Sequence, residues 1–518
     1  MAETVLIVGS GSAGLLAALS LKRQFPNLAV TVIRSPEIGV IGVGEGTTPT
    51  FPAHIFNHLG ISRRRFYELT QPTWKLGGRF LWGPRRYFDY TFSEGLDAHW
   101  SDMSRPNGYY CNEEFGGHSY AAAFMEHGKV FPRQKGGAPA IQEWHAFHIE
   151  NQKFVAMLET LSRENCIEFL EGKVIGVERD ASGVSAVLLE DGRRLAATLF
   201  IDASGFRSEL LGRTLEEPFV SYNRSLFCDR AIIGGWDRTN EPILPYTTAE
   251  TMNAGWAWQI EHEHFINRGY VYSSDAISDE AAAAEFLERN PKVSVAPRAL
   301  RFRSGRYQRM WVDNVIAIGN AGGFVEPLEA TALMIACLEC QKLVAILQSF
   351  GLRPAPTVRE LFNRKMAVLW DDTRDFLALH YRFNTRLNTP FWTRCREETD
   401  VSGLEDILDY YRENGPTGFG RYLLRNPENP WGIEGYLVML VGNRAPHEAR
   451  YIPTTEEAAA WKRHLAQFAE TAKAAMDVKE ALAWIRHPDW RWNEELRKET
   501  APNAVVPNRG GLAGVVRA

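Results

Sequence analysis

The stretch VLIVGSGSAG at residues 5–14 opens on four apolar residues, three of them β-branched, and then becomes rich in glycine. The apolar part predicts a short buried strand, and the run LLAALSL at residues 15–21 predicts the helix that follows. Gly9 permits a tight turn, Gly11 lets the backbone approach a pyrophosphate, and Gly14 lets helix and strand pack closely. The helix start offers N–H groups and a positive dipole end to phosphates. The stretch therefore predicts a dinucleotide-binding unit at the start of the chain.

A second apolar run, LAVTVI at residues 28–33, predicts the neighbouring parallel strand. In the dinucleotide fingerprint an acidic residue ends this strand, about 20 residues beyond the glycines, and binds a ribose hydroxyl. Here Arg34 holds that place. An arginine can pair with the 2′-phosphate of NADP, or it can contact a phosphate or the adenine of FAD. The identity of the cofactor must therefore come from other residues.

The stretch IGVIGVGEGTTP at residues 38–49 is rich in glycine, apolar and almost free of charge. Such a segment can lie flat against a ligand and offer backbone amides where side chains would obstruct. A flexible surface loop is the alternative, but it would leave Val40, Ile41 and Val43 in water. We therefore expect this segment to contact the cofactor.

The composition excludes several classes of partner. The chain has 58 basic and 63 acidic residues in 518, which argues against nucleic acid as the main partner. No basic segment precedes the first strand, and no apolar run approaches the roughly 18 residues of a membrane span, so we expect a soluble cytoplasmic protein. Aromatic residues make up 12%, including 15 tryptophans, which suits either stacking around a flat ligand or a large ordinary core.

The residue types that bind metals are scattered. Cys337 and Cys340 have the C-x-x-C spacing, but they lie in an apolar helical run without a second pair, which favours core thiols. His262 and His264 have no third ligand at a suggestive spacing, which favours a polar strand edge. We predict no metal site.

The rest of the chain alternates strand and helix patterns and ends in helices. Residues 60–150 predict strands and long loops, and residues 315–323 repeat the pattern of strand, glycine turn and helix seen at the N-terminus. The two glycine turns suggest one nucleotide-binding fold that contacts a long cofactor at both ends. The other predicted elements are a helix at 153–161, a strand at 166–177 with a hairpin at 184–189 and its turn at 191–192, a buried strand at 199–206, and helices at 360–370, 375–381 and 455–475.

Several stretches together resemble the flavin-dependent tryptophan halogenases, over most of the chain. They are residues 9–14, 42–49, 73–77, 202–208, 255–260 and 324–331. The first and fourth are shared with flavin monooxygenases generally, whereas the lysine context, the Trp-x-Trp-x-Ile stretch and the Pro-Leu-Glu turn are more specific. The resemblance implies an α/β chain with a glutathione-reductase-like, Rossmann-type FAD fold. Residues 1–350 would form this module, with an interleaved sheet region at about 60–150 and 210–300, and residues 351–518 a mainly helical part that covers the substrate.

The resemblance also implies the cofactor and the reaction. Reduced FAD would react with oxygen to give a C4a-hydroperoxide, and chloride or bromide would attack it to release hypohalous acid. The acid would reach a lysine beside an aromatic substrate through a tunnel. A separate NAD(P)H-dependent flavin reductase would supply the reduced FAD, since no second nicotinamide fingerprint is present. The residues expected to bind FAD are Gly9, Gly11, Ser12, Ala13, Gly14, Arg34, Gly44, Glu45, Gly46, Val174, Asn320 and Leu333.

Lys75 and Glu329 match the catalytic pair of the family. A protonated lysine can hold hypohalous acid by hydrogen bonds, and a neutral one can form a haloamine, so both forms stay open. A carboxylate can accept the proton that the attacked ring must lose. The alternatives are a surface lysine over Trp74 and a glutamate that stabilises a helix dipole. Glu326 is a candidate for the dipole role, which leaves Glu329 freer for the active site.

Thr331 and Ala332 match the halide position, where backbone N–H groups at a helix start hold the anion. The family has Ser-Thr-Gly after the glutamate, and residues 330–332 are Ala-Thr-Ala here, which puts the halide preference in doubt. Trp256 and Trp258 match the pair above the flavin, where they would form a partition that excludes the organic substrate. Spaced two apart on a strand, they face the same way.

The substrate is expected to be a small electron-rich aromatic of the indole type. The tryptophan enzymes have a tyrosine pair that holds the amino-acid head group, and residues 431–437 contain only Tyr436. The rival functions are a flavin-dependent aromatic hydroxylase, a non-catalytic or redox-sensing flavoprotein, and an NADP-binding dehydrogenase suggested by Arg34. A homodimer is a further expectation.

Overall fold

The predicted opening unit is present: the strand Thr4–Val8 leads into the helix Ser12–Gln24 and then the strand Ala29–Arg34. The structure is a computed structural model that describes residues 3–35, 44–96, 98–106, 108–114, 116–181, 183–294 and 298–495. Residues 40, 41 and 43, which we expected to lie against a ligand, fall outside these ranges. The helix packs against two others, Asn151–Glu164 and Thr331–Phe350, and its apolar residues are buried between them.

The opening strand lies inside a parallel sheet. Its neighbours on the two sides are Leu199–Asp202 and Ala29–Arg34, both parallel to it. Parallel strands buried on both faces need continuous apolar sequence, and these runs have it. The carboxyl ends of the strands meet at one edge, where a doubly wound sheet binds its ligand. In the part that the structure describes, the sheet order is Trp311–Val312, Val315–Ala317, Leu199–Asp202, Thr4–Val8, Ala29–Arg34 and Glu168–Glu171.

A second, mostly antiparallel sheet carries the tryptophan pair on the strand Gly255–Glu261. This strand pairs with Phe265–Tyr272 on one side and Tyr246–Met252 on the other. The order of the sheet through the described residues is Arg298–Arg301, Arg230–Asp237, Phe265–Tyr272, Gly255–Glu261, Tyr246–Met252, Gly77–Leu81 and Phe88–Thr91.

A small ladder brings Lys75 next to the glycine-rich segment. The strand Thr73–Lys75 pairs with Ala146–Ile149, which pairs in turn with Glu45–Gly46. The other small sheets combine Arg194–Leu195 with Gly183–Leu189 and Val174–Asp180, and Phe219–Ser221 with Gly305–Tyr307 and Gly323–Phe324.

Helices dominate the C-terminal part. The apolar faces of Pro356–Phe383 and Gly432–Gly442 pack on each other and join the main core. The remaining α-helices are Thr50–Ala53, Arg63–Thr70, Tyr120–Glu126, Asp279–Arg289, Pro390–Glu398, Glu405–Asn414, Thr455–Lys473 and Val478–Ile485. Shorter helical turns of π or 3-10 type are His54–His58, Tyr109–Cys111, Gly205–Arg207, Glu209–Thr214, Gly319–Ala321, Leu328–Ala330, Ser402–Leu404 and Gly418–Leu423.

Four expectations about elements were wrong in detail. The helices predicted at 360–370 and 375–381 are one helix, Pro356–Phe383, because no glycine or proline interrupts it. The strand predicted at 166–177 is two, and the turn at 191–192 joins the hairpin to a third strand. Residues 60–150 also hold helices. The second glycine turn is followed by a 3-10 turn, and its helix begins only at Thr331.

The helix Thr331–Phe350 belongs to a segment, 328–350, that is long and apolar enough to cross a membrane. Of its apolar window, 61% is buried inside the structure, against the helices Ser12–Gln24 and Pro356–Phe383. Its composition is explained by this central packing. Cys337 and Cys340 are buried free thiols on it, as predicted.

Candidate active site

A cavity lies at the carboxyl edge of the parallel sheet, where the glycine turn of residues 9–14 meets the second glycine turn at 319–320. Most of the residues expected to bind the cofactor line it: Gly9, Gly11, Ser12, Ala13, Glu45, Val174, Asn320 and Leu333. We refer to it as the nucleotide cavity. The buried carboxylate of Asp202 holds a turn that lines the cavity at Ser204, since one oxygen accepts hydrogen bonds from Ser204 and the other from the N–H groups of Leu210 and Leu211.

The glycines of the first turn differ in what surrounds them. A Cβ at Gly9 would lie 2.3 Å from the carbonyl oxygen of Ala203, and Gly9 has a φ of +115°. A Cβ at Gly14 would lie 2.1 Å from the carbonyl oxygen of Gly9, so Gly14 serves packing. At Gly11, however, a Cβ would meet no atom within 4 Å. The chain leaves open space there, at the start of the helix, and a pyrophosphate group fits that space.

Arg34 ends its strand as predicted, but its guanidinium is engaged elsewhere. It pairs with Glu159 at 3.2 Å, and its side chain is not among those that line the nucleotide cavity. The arginine in place of the acidic residue is thus explained by a partner within the protein. A direct role of Arg34 in cofactor binding stays a prediction.

A second cavity adjoins the first, and both are lined by Glu45, Phe206, Asn320 and Ala332. We refer to it as the reaction cavity. Its walls include the rings of Phe206 and Phe324, which pack edge to face with their centroids 4.7 Å apart. It also brings together most of the remaining residues singled out in the sequence: Gly44, Gly46, Lys75, Trp256, Trp258, Glu329 and Thr331.

Lys75 ends its strand with its amine in the reaction cavity, and the residue is only 4% exposed. Its Nζ lies 5.5 Å from the centroid of the Phe92 ring. A Cβ at Gly46 would lie 3.3 Å from Nζ, so glycine at 46 keeps the space beside the amine open. Among the described residues, none offers Lys75 Nζ a hydrogen-bond acceptor or an ion-pair partner within contact distance. A buried lysine without such a partner points to a bound group in the cavity.

Burial lowers the pKa of Lys75 to about 8, because the ammonium loses its hydration, although Glu329 opposes the shift. The ammonium is therefore the main form at neutral pH, and the neutral amine becomes accessible just above it. Burial lowers the pKa of His148 well below its ordinary value, and the positive charge of Lys75 nearby lowers it further.

The lowered pKa predicts that Lys75→Met stabilises the protein. Below pH 8 both the folded and the unfolded chain carry the charge, and the folded state bears the full cost of burying it, at most about 3 kcal/mol for the shift from 10.5 to about 8. Between pH 8 and 10.5 the unfolded state binds more protons, so the wild type gains stability as the pH rises. Urea unfolding of the apoprotein is expected to show K75M more stable at pH 7, with a smaller difference at pH 10. A destabilised K75M would contradict this.

Glu329 lies on an unusual turn before the apolar helix. Glu329 and Ala330 have φ values of +67° and +55°, a left-handed conformation that is costly for residues other than glycine. The turn places the first residues of the helix, Thr331 and Ala332, in the wall of the reaction cavity. The carboxylate of Glu329 lies 3.0 Å from Nε2 of His380, a residue that the sequence analysis did not single out.

The tryptophan pair lies as predicted on one face of its strand, with ring centroids 6.2 Å apart. Trp258 Nε1 donates to Asn267 at 2.7 Å, and Trp256 Nε1 donates to Glu326 at 2.9 Å. Both rings line the same cavity as Lys75, so they narrow it rather than stand between two separate cavities. Their role as a partition above the flavin stays a prediction.

The expected role of Glu326 was wrong. Its side chain is fully buried, and it accepts hydrogen bonds from Trp256 and from the hydroxyl of Tyr381 instead of stabilising a helix dipole. Burial raises its pKa to about 7, because the ionised form loses hydration that two donors only partly replace. Beyond the family resemblance that pointed to Glu329, no sequence signal distinguished the two glutamates, since their partners come from distant segments.

Another buried glutamate was missed in the sequence. Glu339 lies between the two cysteines of the C-x-x-C spacing, and its carboxylate accepts hydrogen bonds from the backbone of Gly319 at 2.6 Å and from Trp370 at 3.3 Å. It fixes the second glycine turn against the nucleotide cavity. A lone carboxylate in an apolar helical run was the available signal. Burial raises the pKa of Glu339 to about 8, and that of Glu45 to about 7.

The two histidines after the tryptophan strand behave differently from each other. His262 is buried, and a Cβ at Gly44 would lie 2.2 Å from its Nε2, so the ring packs directly on a glycine with a φ of +80°. The side chain of His264 is 79% exposed. Within the described ranges, no group of three or more His, Cys, Asp and Glu side chains is placed to hold a metal ion.

Comparison with known proteins identifies relatives over nearly the whole chain. The tryptophan halogenase family model matches residues 4–458. The tryptophan 7-halogenase RebH of Lentzea aerocolonigenes is 30% identical over 85% of this chain and 89% of its own length. The tryptophan 7-halogenase KtzQ of Kutzneria sp. (strain 744) is 33% identical over 80% of this chain and 82% of its own.

The solved structures that resemble this chain include further halogenases. MibH, described as a lanthipeptide tryptophan 5-halogenase, has a TM-score of 0.85 at 36% identity, and the match covers 93% of both chains. BrvH, a flavin-dependent halogenase from Brevundimonas sp. BAL3, has a TM-score of 0.81 at 27% identity, covering 93% of this chain and 99% of that one. The α/β fold with a helical C-terminal part is thus common to all three.

Proposed function

Because this chain belongs to the tryptophan halogenase family and is an FAD-dependent halogenase, we propose that it halogenates an electron-rich aromatic ring of the indole type, with Lys75 holding the oxidised halogen beside that ring. The observation that carries the proposal is the buried amine of Lys75, which faces a cavity that adjoins the nucleotide cavity. An amine without a partner in that position can hold a small electrophile.

FAD fits the nucleotide cavity, where the open space at Gly11 suits its pyrophosphate. When bound and reduced, FAD supplies, with oxygen, the oxidising power that converts chloride or bromide to hypohalous acid. The backbone N–H groups of Thr331 and Ala332 at the helix start would hold the halide. Trp256 and Trp258 would exclude the organic substrate from the flavin end of the reaction cavity. Arg34, Gly44 and Gly46 belong to the set proposed for FAD, whereas Gly14, which does not line the nucleotide cavity, supports the turn by close packing.

Lys75 would act as the ammonium near neutral pH. It would donate a hydrogen bond to the oxygen of hypohalous acid and so keep the oxidant from diffusing to other nucleophiles. Glu329 would accept the proton that the ring loses after it is attacked. Both groups line the reaction cavity, where the proposal places the ring.

The proposed substrate is an indole, either free or within a larger molecule. The similar proteins RebH, KtzQ and MibH are all described as tryptophan halogenases, and MibH as acting on a lanthipeptide. Tyr436, the one tyrosine in the stretch compared with the family's pair, is buried and accepts a hydrogen bond from Asn429 at 3.1 Å. This supports a substrate without a dedicated amino-acid clamp at that tyrosine.

The assay uses the purified protein with FAD, NADH, a flavin reductase and bromide or chloride. The aromatic compounds are indole, free tryptophan, an N- and C-blocked tryptophan and a tryptophan-containing peptide. We expect halogenated product by mass spectrometry from at least one of them. Consumption of reduced flavin with no halogenated product from any of these compounds would overturn the proposal.

Omitting the reductase tests the separate supply of reduced FAD, and light scattering of the same sample tests the homodimer. The domain boundary at 350 and a cytoplasmic location also stay predictions.

Gly11→Ala is expected to weaken FAD binding by at least about tenfold while leaving the fold intact. An alanine side chain there meets no protein atom, but it enters the space proposed for the pyrophosphate. Gly14→Ala is the matched control, because its side chain would collide with the carbonyl oxygen of Gly9 and destabilise the apoprotein. Thermal unfolding of the apoproteins and FAD titration by fluorescence quenching separate the two effects. If G11A binds FAD as tightly as the wild type does, the pyrophosphate of FAD does not lie at Gly11.

A further inference from the structure

The contact between His380 and Glu329 requires a proton that neither residue holds in its ordinary neutral-pH form. His380 Nδ1 lies 2.7 Å from the carbonyl oxygen of Phe376, which can only accept, so Nδ1 carries a hydrogen. A neutral imidazole has one N–H group, so Nε2 would then be a bare acceptor. Nε2 nevertheless lies 3.0 Å from the carboxylate oxygen of Glu329, also an acceptor. A proton must lie between them, on either atom.

The surroundings of the pair protect this proton from solvent. The imidazole is fully buried, and the Glu329 side chain is 7% exposed. The rings of Phe80, Trp82 and Phe376 enclose the imidazole, with centroids 5.4, 5.9 and 4.9 Å away. On the other side, Glu329 faces the reaction cavity. The pair therefore opens towards the substrate and is closed to bulk water behind His380.

We propose that His380 is a positioning residue that shares one proton with Glu329, so that the pair first donates and then recovers a proton during halogenation. The inference rests on the proposed function, because it assigns a role in that reaction. His380 lines neither the nucleotide cavity nor the reaction cavity, so it acts through Glu329. The pair supplies both proton transfers from one site.

The reaction begins with the aromatic ring and hypohalous acid in the reaction cavity. The ring π electrons form the carbon–halogen bond while the halogen–oxygen bond breaks, and the departing oxygen takes the proton of the pair to become water. The pair is then a carboxylate and a neutral imidazole. The ring carbon next loses its proton to Glu329, and the C–H electrons restore aromaticity. The pair ends with the one proton it began with, and the products are the aryl halide and water.

The first test measures the proton directly in the apoprotein. In a ¹⁵N-histidine-labelled sample at pH 8, Nε2 of His380 is expected to carry or share a hydrogen. His145 is the matched control: it is buried, its Nδ1 lies 2.5 Å from the carbonyl oxygen of Gln142, and its Nε2 has no partner among the described residues. The variants H380Q and H145Q assign the signals. A bare Nε2 at His380, like that at His145, would overturn the proposal.

A further variant guards against misfolding of H380Q. Glu329→Gln puts an amide in place of the carboxyl group, so the shared proton is lost and the amide N–H donates to Nε2. The wild-type His380 signal is expected to move in E329Q to that of a neutral ring, while the His145 signal stays. An unchanged His380 signal in E329Q would overturn the inference without reference to activity.

The second test compares halogenated product per flavin oxidised in H380Q and the wild type from pH 6.5 to 8.5. The charged and titratable groups that face Glu329 are Lys75, Tyr90 and His380 itself. Lys75 and Tyr90 are present in both proteins, so their titration cancels in the ratio. We expect a ratio at least about tenfold below one at pH 8.5 that rises towards pH 6.5, where hydronium in the solvent can replace the proton that His380 no longer supplies. A flat ratio near one would overturn the proposal, whereas no product from the wild type would instead reject the proposed function.

Discussion

Lys75→Met is expected to abolish ring halogenation, by about 10²–10⁴-fold, without slowing the oxidation of reduced flavin. The amine lines the reaction cavity and is not among the residues proposed to bind FAD, so its loss is expected to leave the flavin site unchanged. Hypohalous acid would still form, but nothing would hold it beside the ring. A diffusible trap for the oxidant is expected to react more in K75M than in the wild type, while the halogenated aromatic disappears.

Lys153→Met is the matched control. Lys153 pairs with Glu150 at the surface and lines neither cavity, so its removal is expected to change neither product nor trap reaction. In the wild type, product per flavin oxidised is expected to fall as the pH rises through about 8, where Lys75 loses its proton. A K75M enzyme that oxygenates the ring would favour the rival aromatic hydroxylase, whereas one that still halogenates it would remove Lys75 from the catalytic pair. A rise in product per flavin oxidised above pH 8 would instead favour a haloamine formed on the neutral amine of Lys75.

The same residue connects stability with function. Burying an ammonium without a partner costs the fold free energy, and methionine removes that cost. A variant that unfolds at higher urea yet makes no product would show that the lysine is retained for chemistry. If misfolding caused the loss of activity, K75M would unfold at a lower urea concentration than the wild type.

The sequence contained enough to predict the nucleotide-binding half of the molecule. The strand, turn and helix at residues 4–24 depend on neighbours in the chain, and so do the spacing of Trp256 and Trp258 and the burial of Cys337 and Cys340. Local patterns of apolar residues and glycine specify such features directly. These predictions agree with the structure to within a few residues.

The polar contacts of the site could not be predicted in the same way. His380 lies 51 residues beyond Glu329 in the middle of a long helix, and Trp256 lies 70 residues before Glu326. Which glutamate faces which partner depends on how the segments fold together. The left-handed backbone at Glu329 and Ala330 was equally hidden, because the sequence places no glycine there to indicate it.

Glu329→Gln is the second variant with a large expected effect. The amide keeps the shape of the side chain but cannot accept a ring proton, so product per flavin oxidised is expected to fall by about 10²–10⁴-fold. FAD binding is expected to be unchanged, since Glu329 is not among the residues proposed to bind FAD and does not line the nucleotide cavity. Deuterium at the attacked ring position is expected to slow E329Q more than the wild type, because loss of the ring proton becomes limiting. An unchanged product yield would remove Glu329 from the catalytic pair.

Glu326→Gln is the control that makes this result specific. The two glutamates are three positions apart on one turn, but Glu326 accepts hydrogen bonds from Trp256 and Tyr381, and its second oxygen has no partner among the described residues. Its raised pKa of about 7 means that the fold already tolerates a neutral group there. The raised pKa also makes the wild type lose stability as the pH rises from 4.5 to about 7, because the folded state binds more protons than the unfolded one. E326Q is therefore expected to keep most of the product yield and to show a weaker fall in stability as the pH rises. A loss of product as large as that of E329Q would mean that the turn, and not the carboxylate facing the cavity, controls the reaction.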